Sequence, residues 1–344
     1  MKRIILLLLL TISLLSCTTK KEQKNNATSD ENPSFTKELT IAFGSCNNQR
    51  KKNTLYSSIL AHKPATWIWG GDIIYSDTDN PKELAKNYNK LKQDSAYSYF
   101  KNHTKIIATW DDHDYGVNDG GTENPIKQEA QQIYLDFLDA PKEDARRKHE
   151  GVYYSETIKQ GKHQVKIIVL DTRYFRTALR KDPSGKKRYL TTNTGTMLGD
   201  VQWQWLSNEL NNDIADFTII VSSIQFLSNK HGFESWGNMP HEVKKLKTLL
   251  TNSNVKNTII ISGDRHIAEF SKTTVNGKAL VDFTSSGLTH AYTKFHGEEN
   301  PYRTGKVIHQ KNFGLLYFDF TKNQVLFEIR GEDDVLLEQY MQQY

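Results

Sequence analysis

Six short runs of contiguous apolar, β-branched and aromatic residues punctuate the chain: Leu39 to Phe43, Thr66 to Trp69, Ile106 to Trp110, Val165 to Leu170, Phe217 to Ser222 and Thr258 to Ile261. A strand with one wet face alternates apolar and polar residues. Unbroken apolar runs of this length instead predict strands buried on both faces, as in sheets covered by helices. Helical periodicity fills the intervals, at Thr54 to His62, Pro81 to Lys101, Glu123 to Ala140, Asp200 to Asn212 and His241 to Asn252. The alternation predicts an α/β fold. Towards the C-terminus, strand candidates at Ala279 to Phe283, Gly314 to Phe320 and Val325 to Ile329 are separated by turns, which predicts a second, more antiparallel sheet. With no internal repeat and no second linker, residues 39–344 are expected to form one large domain.

What stands at the strand ends is more informative. Cys46 follows the first run, Asp72 the second and the stretch TWDDHDYGVND the third, while Asp264 and His266 follow the last. Sites in open α/β sheets assemble at the carboxyl ends of strands. The stretch from Thr109 to Asp119 packs Asp111, Asp112, His113, Asp114, Asn118 and Asp119 together. Carboxylates this close raise one another's pKa unless a positive charge sits among them. Acidic loops are ordinarily solvated surface, but four strands delivering ligand atoms to one edge is hard to explain as decoration. An EF-hand loop is excluded, because placing Gly116 at its sixth position puts His113 and Tyr115 where acids or Asn are required.

Two cations about 3.5–4 Å apart need a carboxylate between them, and Asp72 is the natural bridge; buried there without a cation it would be costly. The Tyr75 phenol and Cys46 thiol beside it favour a strongly Lewis-acidic ion such as Fe3+, whereas Zn2+ more often takes plain His and Cys. Asp111 or Asp112, Asn118 and one of Asp264 and His266 form an oxygen-rich set that suits Ca2+ or Mn2+. Tyr75 could equally be a strand-end aromatic, His113 a structural histidine and His266 a surface residue. Arg173 is read as a salt-bridge partner inside the fold rather than a phosphate clamp.

Several motifs together resemble the PhoD-like (alkaline phosphatase D) branch of the metallophosphoesterases. They are Phe43-Gly44-Ser45-Cys46 with Gln49, Gly71-Asp72-Ile73-Ile74-Tyr75, Trp110-Asp111-Asp112-His113-Asp114 with Asn118, and Ser262-Gly263-Asp264-Arg265-His266. Leu170-Asp171-Thr172-Arg173-Tyr174 and the stretch from Met197 to Leu206 agree, so the resemblance runs from about Leu39 to at least Glu269. It implies a four-layer α-β-β-α sandwich of two mixed sheets flanked by helices, iron paired with calcium, and a phosphomonoester or phosphodiester as substrate. It also implies in-line attack by metal-bound hydroxide, with Asp72 and Asp112 at the centre. His113 resembles the superfamily histidine that protonates or steadies the leaving oxygen. No covalent intermediate is required, consistent with the lack of a G-x-S-x-G elbow. The chain passes from its polar N-terminal stretch directly to Phe43, so the extra N-terminal β-domain that some members carry is not expected here. The loops Lys181 to Arg188 and Gly287 to Thr304, the latter with His290, His296 and Tyr302, are candidates for shaping access.

Two rival readings remain. A haloacid-dehalogenase-type phosphatase would use Asp77-Thr78-Asp79, but Asp72 already holds the strand-end position that motif needs. A lipid-anchored binding lipoprotein with a purely structural metal is the alternative from another class. The anchor is read from MKRIILLLLLTISLLSC, in which Lys2 and Arg3 precede an apolar run too short to span a bilayer. Leu14-Leu15-Ser16-Cys17 resembles the lipobox. Residues 1–16 are therefore expected to be a lipoprotein signal peptide, Cys17 the lipidated residue that meets the membrane, and residues 17–38 a disordered tether. The protein is expected to be an exported, membrane-anchored bacterial lipoprotein on the periplasmic or cell-surface side, and a monomer. Cys46 then has no intramolecular partner, which leaves an intermolecular bridge, a reactive or metal-bound thiolate, or a buried thiol, the last being the reading its residue type favours. The net charge of +5 says little about partners. The clusters Arg146-Arg147-Lys148 and Lys186-Lys187-Arg188 lack interleaved aromatics, so no nucleic-acid partner is expected.

Overall fold

The computed structural model describes residues 35–344. The expected signal peptide, Cys17 and the tether up to residue 34 lie outside the described residues. Residues 35–38, assigned to the tether by sequence, are held in place: the Thr36 N–H donates to Asp319 at 2.8 Å, and Glu38 accepts from the Thr321 N–H at 3.2 Å.

Two sheets pack face to face. The first contains β1 (Leu39–Gly44), β2 (Thr66–Gly70), β3 (Lys105–Thr109), β11 (Phe313–Asp319), β12 (Gln324–Arg330) and β13 (Leu336–Gln343), in the order β13-β12-β11-β1-β2-β3. The second contains β4 (Tyr154–Gln160), β5 (His163–Val169), β6 (Phe217–Val221), β7 (Thr258–Ser262), β8 (Ala268–Val275), β9 (Lys278–Ser285) and β10 (Arg303–Ile308), in the order β10-β8-β9-β7-β6-β5-β4. β1, β2 and β3 are parallel, as are β5, β6, β7 and β9, and antiparallel strands complete each sheet. Both sheets are thus mixed, as expected.

The alternation of side chains explains the unbroken apolar runs. Ile41, Phe43, Ile68, Ile219, Ile259 and Ile261 point into the layer between the sheets. Ala42, Trp67 and Trp69 point the other way, towards α1 (Tyr56–Ala61), α2 (Pro81–Lys92), α3 (Ser95–His103) and α5 (Lys127–Phe137). Ile168, Ile220 and Ile260 face outward to α6 (Gly199–Asn211) and α7 (Pro240–Asn252). Each central strand is buried on both sides, so most positions in it are apolar, with buried Thr66, Thr218 and Thr258 near the strand starts as exceptions. The order of layers is helix, sheet, sheet, helix.

Two expectations need correction. The C-terminal strands do not form a separate antiparallel sheet: β11 pairs antiparallel with β1, Leu39 opposite Phe318, and β9 joins the second sheet parallel to β7. The turn-separated pattern was sound, but which sheet a hairpin joins is a tertiary choice. The helix expected over Pro81 to Lys101 is broken in two, because the Asp94 carboxylate accepts from the Tyr97 N–H at 2.8 Å and caps a new helix. Among the described residues, no helix is long and apolar enough to cross a membrane.

Candidate functional site

The turns that follow β1, β2, β3 and β7 meet at one end of the sandwich. Cys46, Asp72, Asp264 and His266 all adopt left-handed backbone, with φ of 61°, 50°, 67° and 54°. Such strain in non-glycine residues costs about 1–3 kcal/mol each and persists only where the surroundings impose it. Here it turns each side chain from its strand end towards the common centre. Gly71 lets two of these turns touch: at φ +93°, a Cβ there would lie 2.5 Å from Asp111 Cβ and 2.9 Å from Asp111 N. Gly263 does the same between β1 and β7, where a Cβ would lie 2.5 Å from Ser45 Oγ and 2.7 Å from the Gly70 carbonyl oxygen.

The side chains converge. The Cys46 thiol donates to Asp72 Oδ2 at 3.3 Å and lies 3.6 Å from the Asp264 carbonyl oxygen, and the Tyr75 hydroxyl donates to the same Asp72 oxygen at 3.3 Å. Gln49 positions Tyr75 through both backbone groups, accepting from its N–H at 2.8 Å and donating to its carbonyl at 3.0 Å. Three sets of ligand atoms, each within 4.8 Å of one another, occur among the described residues: Asp72, Asp112 and His113; Asp111, Asp112 and Asp264; and Asp112, Asp119 and Glu234. Asp112 is common to all three, so the chain offers Asp112 as well as Asp72 as a bridging carboxylate. Asn118 is exposed on the wall of the adjoining pocket, where Asp112, His113, Asp264 and His266 also stand.

The tight helical turn α4 (Asp112–Tyr115) keeps the acidic run in order. Asp114 does not face the centre, since it accepts from the Ile73 N–H at 2.9 Å and the Asp111 N–H at 2.5 Å. Asp112 accepts from the N–H groups of His113 and Asp119 at 2.9 and 2.6 Å. Burial would raise the Asp112 pKa, yet Arg173, His113 and those two donors hold it down at about 2. Asp72 goes the other way: burial first, then Asp112, Asp111 and Asp114, push it well above the carboxylate range against the pull of His113. Burial with Asp112 and Glu234 likewise raises Asp111 to about 8, against Arg173 and Ser223. Carboxylates so disposed are what a cation would relieve.

Buried atoms without hydrogen-bond partners support that fit. Asp72 Oδ1, Asp111 Oδ2 and His266 Nδ1 have none. A buried polar atom left unpaired is costly, and these three belong to residues expected to bind metal. The thiol and phenol on Asp72, with an imidazole and further carboxylates gathered nearby, are chemically suited to two unlike ions.

Arg173 is a salt-bridge partner inside the fold, as it was read. Its guanidinium is fully buried; Nε donates to Asp111 Oδ1 at 2.6 Å and Nη1 pairs with Glu234 at 2.7 Å, while Arg176 pairs with Glu234 at 3.1 Å. Asp171 fixes the turn that carries it, accepting from the Arg173 and Tyr174 N–H groups at 2.9 Å each, and Gln202 holds Asp171 through its backbone at 2.8 Å. The two family-like stretches Leu170 to Tyr174 and Met197 to Leu206 therefore act together as one support.

Several members of the site carried no motif. Asp77, raised above only as part of a rival phosphatase signature, holds His113 Nδ1 at 2.6 Å. Burial alone would lower the His113 pKa, but Asp72, Asp77 and Asp112 push it up to about 11. His290 stands 4.6 Å from His266 and 5.0 Å from Tyr75 between ring centroids. Ser223 donates to Asp111 at 2.5 Å, and Glu234 sits within reach of Asp112 and Asp119. A lone His, Ser or Glu in a loop far along the chain gives no local signal; only spatial proximity identifies it.

The family model for PhoD-like phosphatases matches residues 41–330. The chain belongs to the PhoD-like phosphatase family. Alkaline phosphatase D of Bacillus subtilis (strain 168) is 24% identical over 274 residues, covering 67% of this chain and 46% of that protein, so the chain spans about half the length of this relative. Among solved structures, that of PhoD superposes with a TM-score of 0.68 at 18% identity, over 89% of this chain and 68% of the other. A dimetal phosphatase from Danio rerio gives 0.53 at 11% identity over 90% and 100% of the two chains, and GAP50, the inner-membrane-complex anchor of Plasmodium, gives 0.55 at 13% over 88% and 87%. At these identities the structural likenesses establish the fold, a mixed α/β sandwich. The PhoD-like motifs fall on the turns described above.

Proposed function

We propose that this PhoD-like protein is a metal-dependent phosphoric ester hydrolase. The observation that carries the reading is the convergence of Cys46, Asp72, Asp112 and Asp264 from four separate strand ends, with buried oxygens of Asp72 and Asp111 left unpartnered. Cys46, Tyr75 and Asp72 would hold one ion, Fe3+ by preference, and Asp111 or Asp112, Asn118 and one of Asp264 and His266 the other, Ca2+ by preference, with Mn2+ and Zn2+ as alternatives. Such a pair supplies Lewis acidity, acidifying water and neutralising charge on the phosphoryl oxygens.

The chain's own groups do the rest. His113 lines the pocket and is held at Nδ1 by Asp77, which leaves Nε2 to carry a proton to the departing ester oxygen. Arg173, buried behind Asp111, sets the position of that carboxylate and lies too deep to grip phosphate.

The deciding assay is hydrolysis of p-nitrophenyl phosphate and its bis ester, with and without chelator. Turnover that chelation abolishes is the expected result. If both esters survive under every metal tried while chelation melts the fold, the metal is structural and the binding-protein reading holds. Elemental analysis with a visible spectrum identifies the ions, and a phenolate-to-iron band lost in Tyr75→Phe would place iron at Tyr75. The N-terminal sequence supports export and lipid anchoring at Cys17, and with them scavenging of phosphate from external esters. Cys17→Ala should release the protein from the membrane fraction, and a deletion strain should grow poorly on phosphodiesters as sole phosphorus source.

A further inference from the structure

The pocket beside the candidate metal centre is larger than a phosphoryl group requires. At about 440 Å³ it falls in the range of small-molecule sites. Its inner wall holds Asp112, His113, Asp264 and His266; its rim holds Arg188, Phe233, Arg265 and Tyr292. Phe233 and Tyr292 are 39% and 42% exposed, two large rings facing solvent at the mouth of one site. An exposed aromatic ring offers a flat apolar face on which another ring can stack.

Both rings are mounted firmly. Phe233 adjoins Glu234, which is buried and ion-paired with Arg173 and Arg176, and is followed by fully buried Trp236. The Tyr292 N–H donates to the His266 carbonyl at 2.7 Å, tying that loop to the candidate metal segment. Arg265, between Asp264 and His266, links the two loops. Its guanidinium lies 4.5 Å over the Phe233 ring and donates to both Glu298 oxygens at 2.8 Å. The Phe233 ring is thus packed against Arg265, and the loop that carries Tyr292 is tied through its backbone to His266.

Charge on the rim indicates what they receive. Arg265 is matched by Glu298, and Arg188 is ion-paired with Asp119, to which Tyr189 also donates at 2.5 Å. Neither guanidinium is left unmatched to attract a second phosphate, so a polyanionic chain fits poorly. A neutral planar group fits well, because stacking on aromatic faces accepts any π-system.

Resting on the hydrolase reading, we infer that Phe233 and Tyr292 form a subsite for a ring-bearing alcohol, and that the preferred substrates are phosphoesters of nucleosides or aryl alcohols rather than of polyols. The test is calorimetric binding of adenosine 5′-monophosphate and of glycerol 3-phosphate to the protein purified with its metals. Wild type should bind the nucleotide at least about tenfold more tightly. Phe233→Ala and Tyr292→Ala should each weaken nucleotide binding by about tenfold, the order expected for one lost stacking contact, and leave glycerol 3-phosphate unchanged. Phe233→Leu keeps bulk without the aromatic face and should behave as Phe233→Ala even if the latter folds poorly; Tyr292→Phe should bind as wild type. Equal affinity for the two ligands in wild type, or equal weakening of both in the variants, overturns the subsite. Hydrolysis of bis(p-nitrophenyl) phosphate by the same proteins separates the two claims. Ring-selective binding without turnover sinks the hydrolase reading and leaves the subsite standing, whereas turnover without ring selectivity does the reverse.

Discussion

Replacing Arg173 by Met distinguishes a structural cation from a phosphate clamp, and the size of the effect follows from its surroundings. The guanidinium is fully buried and neutralises two buried carboxylates, Asp111 and Glu234. Removing one partner of a buried ion pair typically costs about 3–5 kcal/mol, because a charge is left without compensation. At about 2 °C per kcal/mol for a chain of this size, Arg173→Met should melt about 6–10 °C below wild type. The loss should also depend on pH. Even with Arg173 present, burial raises Asp111 to about 8 and Glu234 to about 7. Without it both rise further. A carboxyl whose folded pKa is raised stabilises the fold below its unfolded pKa, and that contribution is lost as pH climbs through the folded value. The variant should therefore be closest to wild type near pH 6 and furthest from it above pH 8. Calorimetry of the metal-free proteins across this range measures both effects, and Glu234→Gln in the same background should restore part of the loss. Equal melting of Arg173→Met and wild type at both ends of the range would refute the account. So would a KM for substrate that rises while stability stays unchanged.

Gly71→Ala should lose bound metal by elemental analysis while keeping its far-ultraviolet spectrum, because the added methyl meets Asp111 at 2.5 Å and forces the β2 and β3 turns apart; full metal content would count against the contact. Asp282 is raised to about 6 by burial, despite donors from Leu227, Ser262 and Phe226. Its contribution to stability is thus present below about pH 4 and lost by about pH 6, and Asp282→Asn should flatten urea-denaturation midpoints over that interval, an unchanged slope being the contrary result. Asp94→Ala removes the cap on α3 and should cost about 1 kcal/mol, readable as a shift of about 2 °C in melting temperature; no shift would mean the break between α2 and α3 has another cause.

Most of the central strands were legible in the sequence because burial on both faces leaves few positions for a polar residue. β8, inside its sheet but polar over Ser271 to Thr274, was missed, and so, for the opposite physical reason, were β4, β10 and β13. They lie at the sheet edges, and Tyr154–Gln160, with one face largely in water, reads YSETIKQ and resembles a loop. The site divides in the same way. Asp72, Asp111, Asp112 and Asp264 announce themselves by following apolar runs. His290, Ser223 and Glu234 reach the centre from loops whose path depends on the whole fold. Arg173 lay between these cases: it was read as a salt-bridge partner inside the fold, but its partners Asp111 and Glu234, distant in sequence, could not be named.

β1 begins at Leu39, beside the contacts of Thr36 and Glu38 with the segment Asp319 to Thr321, and ends two residues before Cys46. At about 3.3 Å per residue, its six residues set the point where the chain joins the sandwich roughly 20 Å from the reactive end. Immobilising the protein through residues ahead of Phe35, on a resin or a sensor surface, should therefore leave the pocket open and its kinetics close to those in free solution.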